Sequence, residues 1–251
     1  MTAAATLTPT LGIQPISNSN TSVEVAQSAS GYVPLVPLGT LANVIDPYWG
    51  GGEVIRLRVP ANTTAIPTGG VAIYNQAYTY TIAPNTANLG QPLAVAVTAV
   101  PLNASFDQYA WFYVSGSFPA FSGASVAANT ATGITAAGTL GANSAGKQVL
   151  NARVQVAATT TVVKANCSTT SGSTQLRVPN TDGWFVGLYL SGTGIAAATT
   201  VSAIDASGTL VTLSAAATAT GSVSVTGTYN NATIFWNVLQ GQRIFAQGAI
   251  T

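Results

Sequence analysis

The stretch Gln108–Gly116, QYAWFYVSG, decides the fold class. Tyr109, Trp111 and Tyr113 alternate with Ala110, Phe112 and Val114, so consecutive large side chains point to opposite faces of one extended segment. The same period of two recurs on either side. Ile55, Leu57 and Val59 alternate with Val54, Arg56 and Arg58; Tyr78, Tyr80 and Ile82 with Thr79 and Thr81; Leu150, Ala152, Val154 and Val156 with Asn151, Arg153 and Gln155. Between these runs stand VPANTTAIPTGG, IAPNTANLGQP and VSGSFPAFSG, whose Pro, Gly and Asn suit turns. No apolar stripe keeps a 3.6-residue period for three turns, because Thr, Gly and Pro interrupt every candidate. The expected class is all-β: a sandwich or barrel-like domain with an extended N-terminal arm and a second small β domain.

Composition narrows the function. Among 251 residues there are 42 Ala, 35 Thr and 25 Gly, but only seven Lys or Arg and six Asp or Glu, where an average domain would carry about a quarter of its residues as charges. Histidine is absent. The residue most often used for proton transfer near neutrality is therefore missing, and with it every Ser-His-Asp, Cys-His or His-ligated metal arrangement. The expectation is a non-enzyme without cofactor or metal. A net charge of +1 with no basic cluster gives no field for phosphate backbones, so nucleic acid is not an expected partner. Leu93–Val100, LAVAVTAV, falls short of the roughly 20 apolar residues of a spanning helix, so no membrane partner is expected. MTAAATLTPT has neither a basic n-region nor a continuous apolar h-region, so no secretory signal is expected. Cys167 stands alone and reads as a small buried thiol.

Four parts follow from the pattern. Residues 1–45 contain one charge, Glu24, and several Pro; they read as an arm laid against a neighbouring subunit, the alternative being a partly disordered terminus. Residues 46–165 and 230–251 read as the main β domain, with 166–229 as a small β module inserted in one of its loops. The echo of Leu57-Arg58-Val59-Pro60 in Leu176-Arg177-Val178-Pro179 marks the same device twice, a strand ended by Pro.

Several look-alike motifs lack their context. GANSAGKQ, Gly141–Gln148, matches Gly-x4-Gly-Lys, but Gln148 replaces the needed hydroxyl residue after Lys147 and a strand pattern follows where a phosphate loop opens a helix. Gly192-Thr-Gly194-Ile-Ala-Ala197 is likewise followed by the strand pattern TTVSAID. Asp46 and Glu53 flank Tyr48, Trp49 and Gly50-Gly51-Gly52, which could frame a glycosidase-like cleft. The simpler reading is a turn at Asp46-Pro47, bent by the glycines, with Glu53 opening the next strand near Arg56 and Arg58. Asp107, Asp182 and Asp205 sit singly in turns. Tyr109, Trp111, Phe112 and Tyr113 could stack on bases or sugars, but residues that point to both faces of a strand suit a core better. No catalytic, cofactor or metal residue is assigned.

The segment Gln108–Gly141, QYAWFYVSGSFPAFSGASVAANTATGITAAGTLG, resembles the head decoration or capsid cement proteins of tailed bacteriophages, in which an aromatic YAWFxVSG strand precedes Ala-, Val- and Gly-rich hairpins. VPNTDGWFVGLYLSGTGIAAATTVSAIDASGTLVTLS, from Val178 to Ser214, is similar to a small β module of phage and bacterial surface proteins. The resemblance implies a virion structural protein on the capsid surface that stabilises the shell, with the major capsid protein and its own copies, as a homotrimer, for partners. It carries no site residues. The alternative is a tail or fibre component, or an adhesin, that binds a host-surface glycan.

Overall fold

Extended segments rich in β-branched and aromatic residues become nineteen strands among the described residues, which in this computed structural model are 6–9, 23–26, 33–46, 50–62, 64–205, 207–231 and 234–248. The protein is all-β, and no helix occurs among those residues. Thirteen strands form one sheet: β1 (Thr6–Pro9), β2 (Glu24–Val25), β3 (Leu41–Asp46), β4 (Gly50–Val59), β5 (Val71–Tyr74), β6 (Tyr80–Ile82), β7 (Leu93–Ala96), β8 (Gln108–Ser122), β9 (Thr132–Ala136), β10 (Thr139–Ala142), β11 (Val149–Val156), β18 (Asn230–Asn231) and β19 (Ile234–Ala246). Six more make a second sheet: β12 (Thr161–Thr169), β13 (Gln175–Arg177), β14 (Tyr189–Gly192), β15 (Val201–Ile204), β16 (Leu210–Leu213) and β17 (Gly221–Thr228).

The aromatic stretch is the first half of β8, the hub of the large sheet. Its N-terminal half pairs with β4 on one side and with β2 and β7 on the other, and its C-terminal half pairs with β19. Both faces of the sheet are buried here. Val54, Trp111, Tyr113, Val95 and Ile73 pack on one side, and Ile55, Leu57, Phe112, Ala94 and Ala96 on the other. That is why apolar residues fill both phases of the period in QYAWFYV and LAVA. β8 changes partners at Gly116, whose φ of +101° is open to glycine but costly for a side chain. A β-carbon on Gly116 would lie 2.5 Å from the Gly52 α-carbon, so two glycines let β4 and β8 touch at the corner.

The second sheet closes on itself. Its order is β14-β17-β12-β13-β16-β15, and a bridge between Tyr189 and Thr200 brings its ends together. Trp184, Phe185, Leu188, Leu190, Leu176 and Tyr229 fill its interior, with the Tyr229 hydroxyl donating to the Gly183 carbonyl at 2.7 Å and the Trp184 indole N–H to the Val162 carbonyl at 3.2 Å. The chain enters it after β11 and leaves it before β19, and those two strands pair with each other. Val238 of β19, with Phe121 and Val156, packs into the same apolar cluster and joins the two units. The expected boundary at residue 166 falls inside β12, and the one at 45 falls inside β3. The two LRVP segments do behave alike: Leu57, Val59, Leu176 and Val178 are buried, and each strand ends before its proline.

One alternation is different. Tyr80 is buried while Tyr78 and Ile82 are exposed, and β6 begins only at Tyr80. Tyr78 has φ +54°, a left-handed conformation, so it belongs to the turn before the strand and its side chain leaves the period.

Candidate functional site

Two features stand out from the scaffold: an apolar edge built by the N-terminal arm, and a groove beside the β5–β6 turn. The arm is fixed by a charge pair. Arg56 of β4 lies in the phase that packs on Trp111, its guanidinium 5.4 Å from the ring centre, and only 3% of its side chain reaches solvent. A buried guanidinium needs a counter-charge. Glu24 supplies it, its Oε2 accepting from Arg56 Nη2 at 2.7 Å while its Oε1 accepts from the Leu35 backbone N–H at 3.0 Å. One carboxylate thus ties two segments of the arm to the sheet, and β2 adds its own pairing to Gln108 and Tyr109. The apolar side chains next to this clamp face water. Val33 is 81% and Leu35 87% exposed, and Val25 is partly so.

The groove has a volume of about 500 Å³ and is lined by Tyr74, Asn75, Gln76, Tyr78, Gln91 and Pro92. Its frame is a tight turn. The Asn75 side-chain oxygen accepts from the N–H groups of Ala77 and Thr79, the Tyr78 N–H donates to the Asn75 carbonyl, and the Tyr78 carbonyl accepts from the Arg58 N–H. The Tyr78 ring rests on Gly39, where a β-carbon would come within 2.4 Å of it. Burial pushes the Tyr74 phenol above its ordinary range, opposed by the nearby Arg243 charge.

The residues singled out by sequence lie apart. Glu53 reaches Arg243 at 3.0 Å and not Arg56 or Arg58; Arg58 lies 3.7 Å from Asp107, which also accepts from the Ala61 N–H. Gly50–Gly52 do not bend a turn: they extend β4 and pair with Asp46, Ile45 and Val44 of β3. Tyr48, Trp49 and the Asp46 side chain lie outside the described residues. Lys147 donates to the Asn85 side chain at 2.9 Å, and its glycine turn runs into β11; the Gly192–Ala197 turn runs toward β15. Both segments therefore lack the helix N-terminus that would hold phosphate. Tyr109, Trp111, Phe112 and Tyr113 are all buried. Asp182 lies near Lys164, whose amine burial pulls below its ordinary range against the pull of that carboxylate. Among the described residues, no three His, Cys, Asp or Glu side chains group to hold a metal ion, and no helix is long and apolar enough to cross a membrane.

Cys167 is fully buried in the second sheet, its thiol donating to the Lys164 carbonyl at 3.2 Å, and burial pushes its pKa up. Thiolate, the reactive form, is therefore scarce and shielded. Ellman's reagent should label less than a tenth of the native protein in an hour, against about one thiol per chain in guanidinium; rapid native labelling would contradict this placement. Asp205 organises the turn into β16. It accepts from Ser207 and from the Thr209 and Leu210 N–H groups, which hold its carboxyl below the ordinary range. A depressed folded-state pKa stabilises above the ordinary range and the benefit is lost as pH falls through the depressed value. Asp205→Ala should be modestly less stable than the parent in urea titrations at neutral pH, with the difference shrinking toward strong acid; a gap that widens there would refute the assignment.

No protein-family model, curated protein sequence or solved structure matches this chain.

Proposed function

We propose that this chain is a virion structural protein that decorates and stabilises a phage capsid, assembling as a homotrimer through its arm and resting on the major shell protein. The observation that carries the reading is the pair Val33 and Leu35, 81% and 87% exposed on an arm segment clamped to the sheet by Glu24 and Arg56. Large apolar side chains held in water beside a rigid edge suit a surface that a neighbour covers. Scarce charge supports it as well. Interface cores are depleted of charge because stranding one there is costly, and closely set copies with a net charge of +1 repel each other little.

Stained gels of purified particles test this, with copy number read against the major shell protein for the parent and for the Val33→Glu/Leu35→Glu double variant. The parent should be present in high, fixed copy number. The double variant should fold with an unchanged melting temperature, since both side chains sit in water, yet lose most of its incorporation and its trimer in light scattering. Absence from particles, only a few copies per particle, or full incorporation of the double variant would overturn the proposal.

A further inference from the structure

The groove beside the β5–β6 turn joins a mostly apolar wall, given by its tyrosines and proline, to amide side chains that can donate and accept. We propose that it binds a neutral saccharide, with the Tyr78 ring as the platform for a sugar face and the amides of Gln76 and Gln91 as hydroxyl partners. This inference stands apart from the assembly reading, because the groove can be presented equally by a shell or a tail subunit.

Three observations support it. The first is that Tyr78 is mounted before any ligand arrives. Its backbone is held from both sides by Asn75 and Arg58, its ring lies on Gly39, and 38% of the residue remains exposed. An aromatic ring with fixed backbone loses little freedom on binding, which is the property a weak polar ligand requires of its platform. The second is the strain. A bulky side chain at φ +54° occupies a conformation that glycine or asparagine would adopt with less cost, so the turn alone does not account for a tyrosine there.

The third is the donor and acceptor set. The lining residues are two tyrosines, a proline and three amides, with no formal charge among them. Arg243, whose field reaches Tyr74, is engaged by Glu53 through Nη2, at 3.0 and 3.1 Å to the two carboxylate oxygens. Amide side chains both donate and accept, as hydroxyls do, while an anionic or cationic ligand would find no free counter-charge in the lining. An uncharged molecule with one apolar face and a rim of hydroxyls matches this set. The volume of about 500 Å³ falls within the usual range for ligand clefts.

The test is a glycan array carrying neutral glucose-, galactose-, mannose- and N-acetylglucosamine-based oligosaccharides beside sialylated ones, followed by titration calorimetry on the best neutral hit with the full chain. Binding to at least one neutral oligosaccharide is expected, with affinity falling about tenfold or more in Tyr78→Gly and in Gln91→Ala. Tyr78→Gly is chosen because glycine accepts φ +54°, so the melting temperature should stay within a few degrees of the parent and a lost affinity reports the ring. Binding to no neutral glycan, binding only to sialylated ones, or neutral-glycan affinity unchanged in both variants would overturn the proposal. So would displacement of the sugar by a proline-rich peptide that binds more tightly, since the groove would then be a peptide site.

Discussion

Glu24→Gln is expected to destabilise the protein by about 3–5 kcal/mol, as removing one partner of a buried ion pair does elsewhere. The Arg56 guanidinium cannot reach solvent from its place over Trp111, with 3% of its side chain exposed, so a neutral residue at 24 leaves a positive charge in a low-dielectric site. The Glu24 side chain is only 13% exposed, so water screens the pair little. Urea unfolding followed by tryptophan fluorescence measures the loss. The informative companion is the double variant Glu24→Leu/Arg56→Met, which keeps the volume over Trp111 and removes both charges. It should recover most of the stability, because buried pairs are often no better than apolar replacements. The arm connects this to function. Glutamine has one acceptor oxygen where the carboxylate has two, so either Arg56 Nη2 or the Leu35 N–H meets an amide NH2 instead, and limited proteolysis should cut before residue 40 more readily. A Glu24→Gln protein within 1 kcal/mol of the parent would mean that the clamp does not hold the arm.

Gly116→Ala should cost about 4 kcal/mol or more, or prevent folding, which is at the exceptional end for a single methyl group. Two effects combine. The left-handed φ of +101° strains any side chain, and the new β-carbon would sit 2.5 Å from the Gly52 α-carbon and 2.7 Å from the Gly51 carbonyl oxygen. Those are backbone atoms of β4, paired to β3 and β8, so they cannot withdraw without breaking both ladders. Gly51→Ala provides the control, since nothing lies within 4 Å of its added carbon; it should stay within about 0.5 kcal/mol of the parent. Thermal unfolding by circular dichroism separates the two. Equal effects at 51 and 116 would show that β4 and β8 do not meet at this corner.

The segments legible in the sequence are those whose residues carry their own instructions. β4, β11 and the first half of β8 carry a period of two, and Pro60 and Pro179 mark the close of β4 and β13, whereas VSGSFPAFSG, whose Gly and Pro suit a turn, continues β8 to Ser122. Tyr78 leaves the expected alternation because a left-handed residue breaks the period without changing the letters, and Ile82 lies exposed at the end of β6. The apolar arm is legible in the sequence; its clamp to the sheet and the β5–β6 groove are not. Proximity in sequence sets Arg56 beside Glu53, whereas the carboxylate that it meets, Glu24, is 32 residues away. Gln91 and Pro92 meet Tyr74 and Tyr78 because β5 pairs with both β6 and β7, a juxtaposition with no local signature.

The amino-acid sequence by itself determined that this chain is built of strands, that it is poor in charge, and that it has no histidine with which to move protons. These are properties of composition and of neighbours one or two residues apart, where sterics and side-chain direction act directly. Only the tertiary structure decided which strand lies beside which. That choice put Arg56 in the core facing Glu24, brought two glycines together at the corner of β8, and left Val33 and Leu35 in water. Pairing a strand is a contest among many extended segments with similar local preferences. Its outcome depends on how both faces are buried at once, a sum over the whole chain that no short stretch contains.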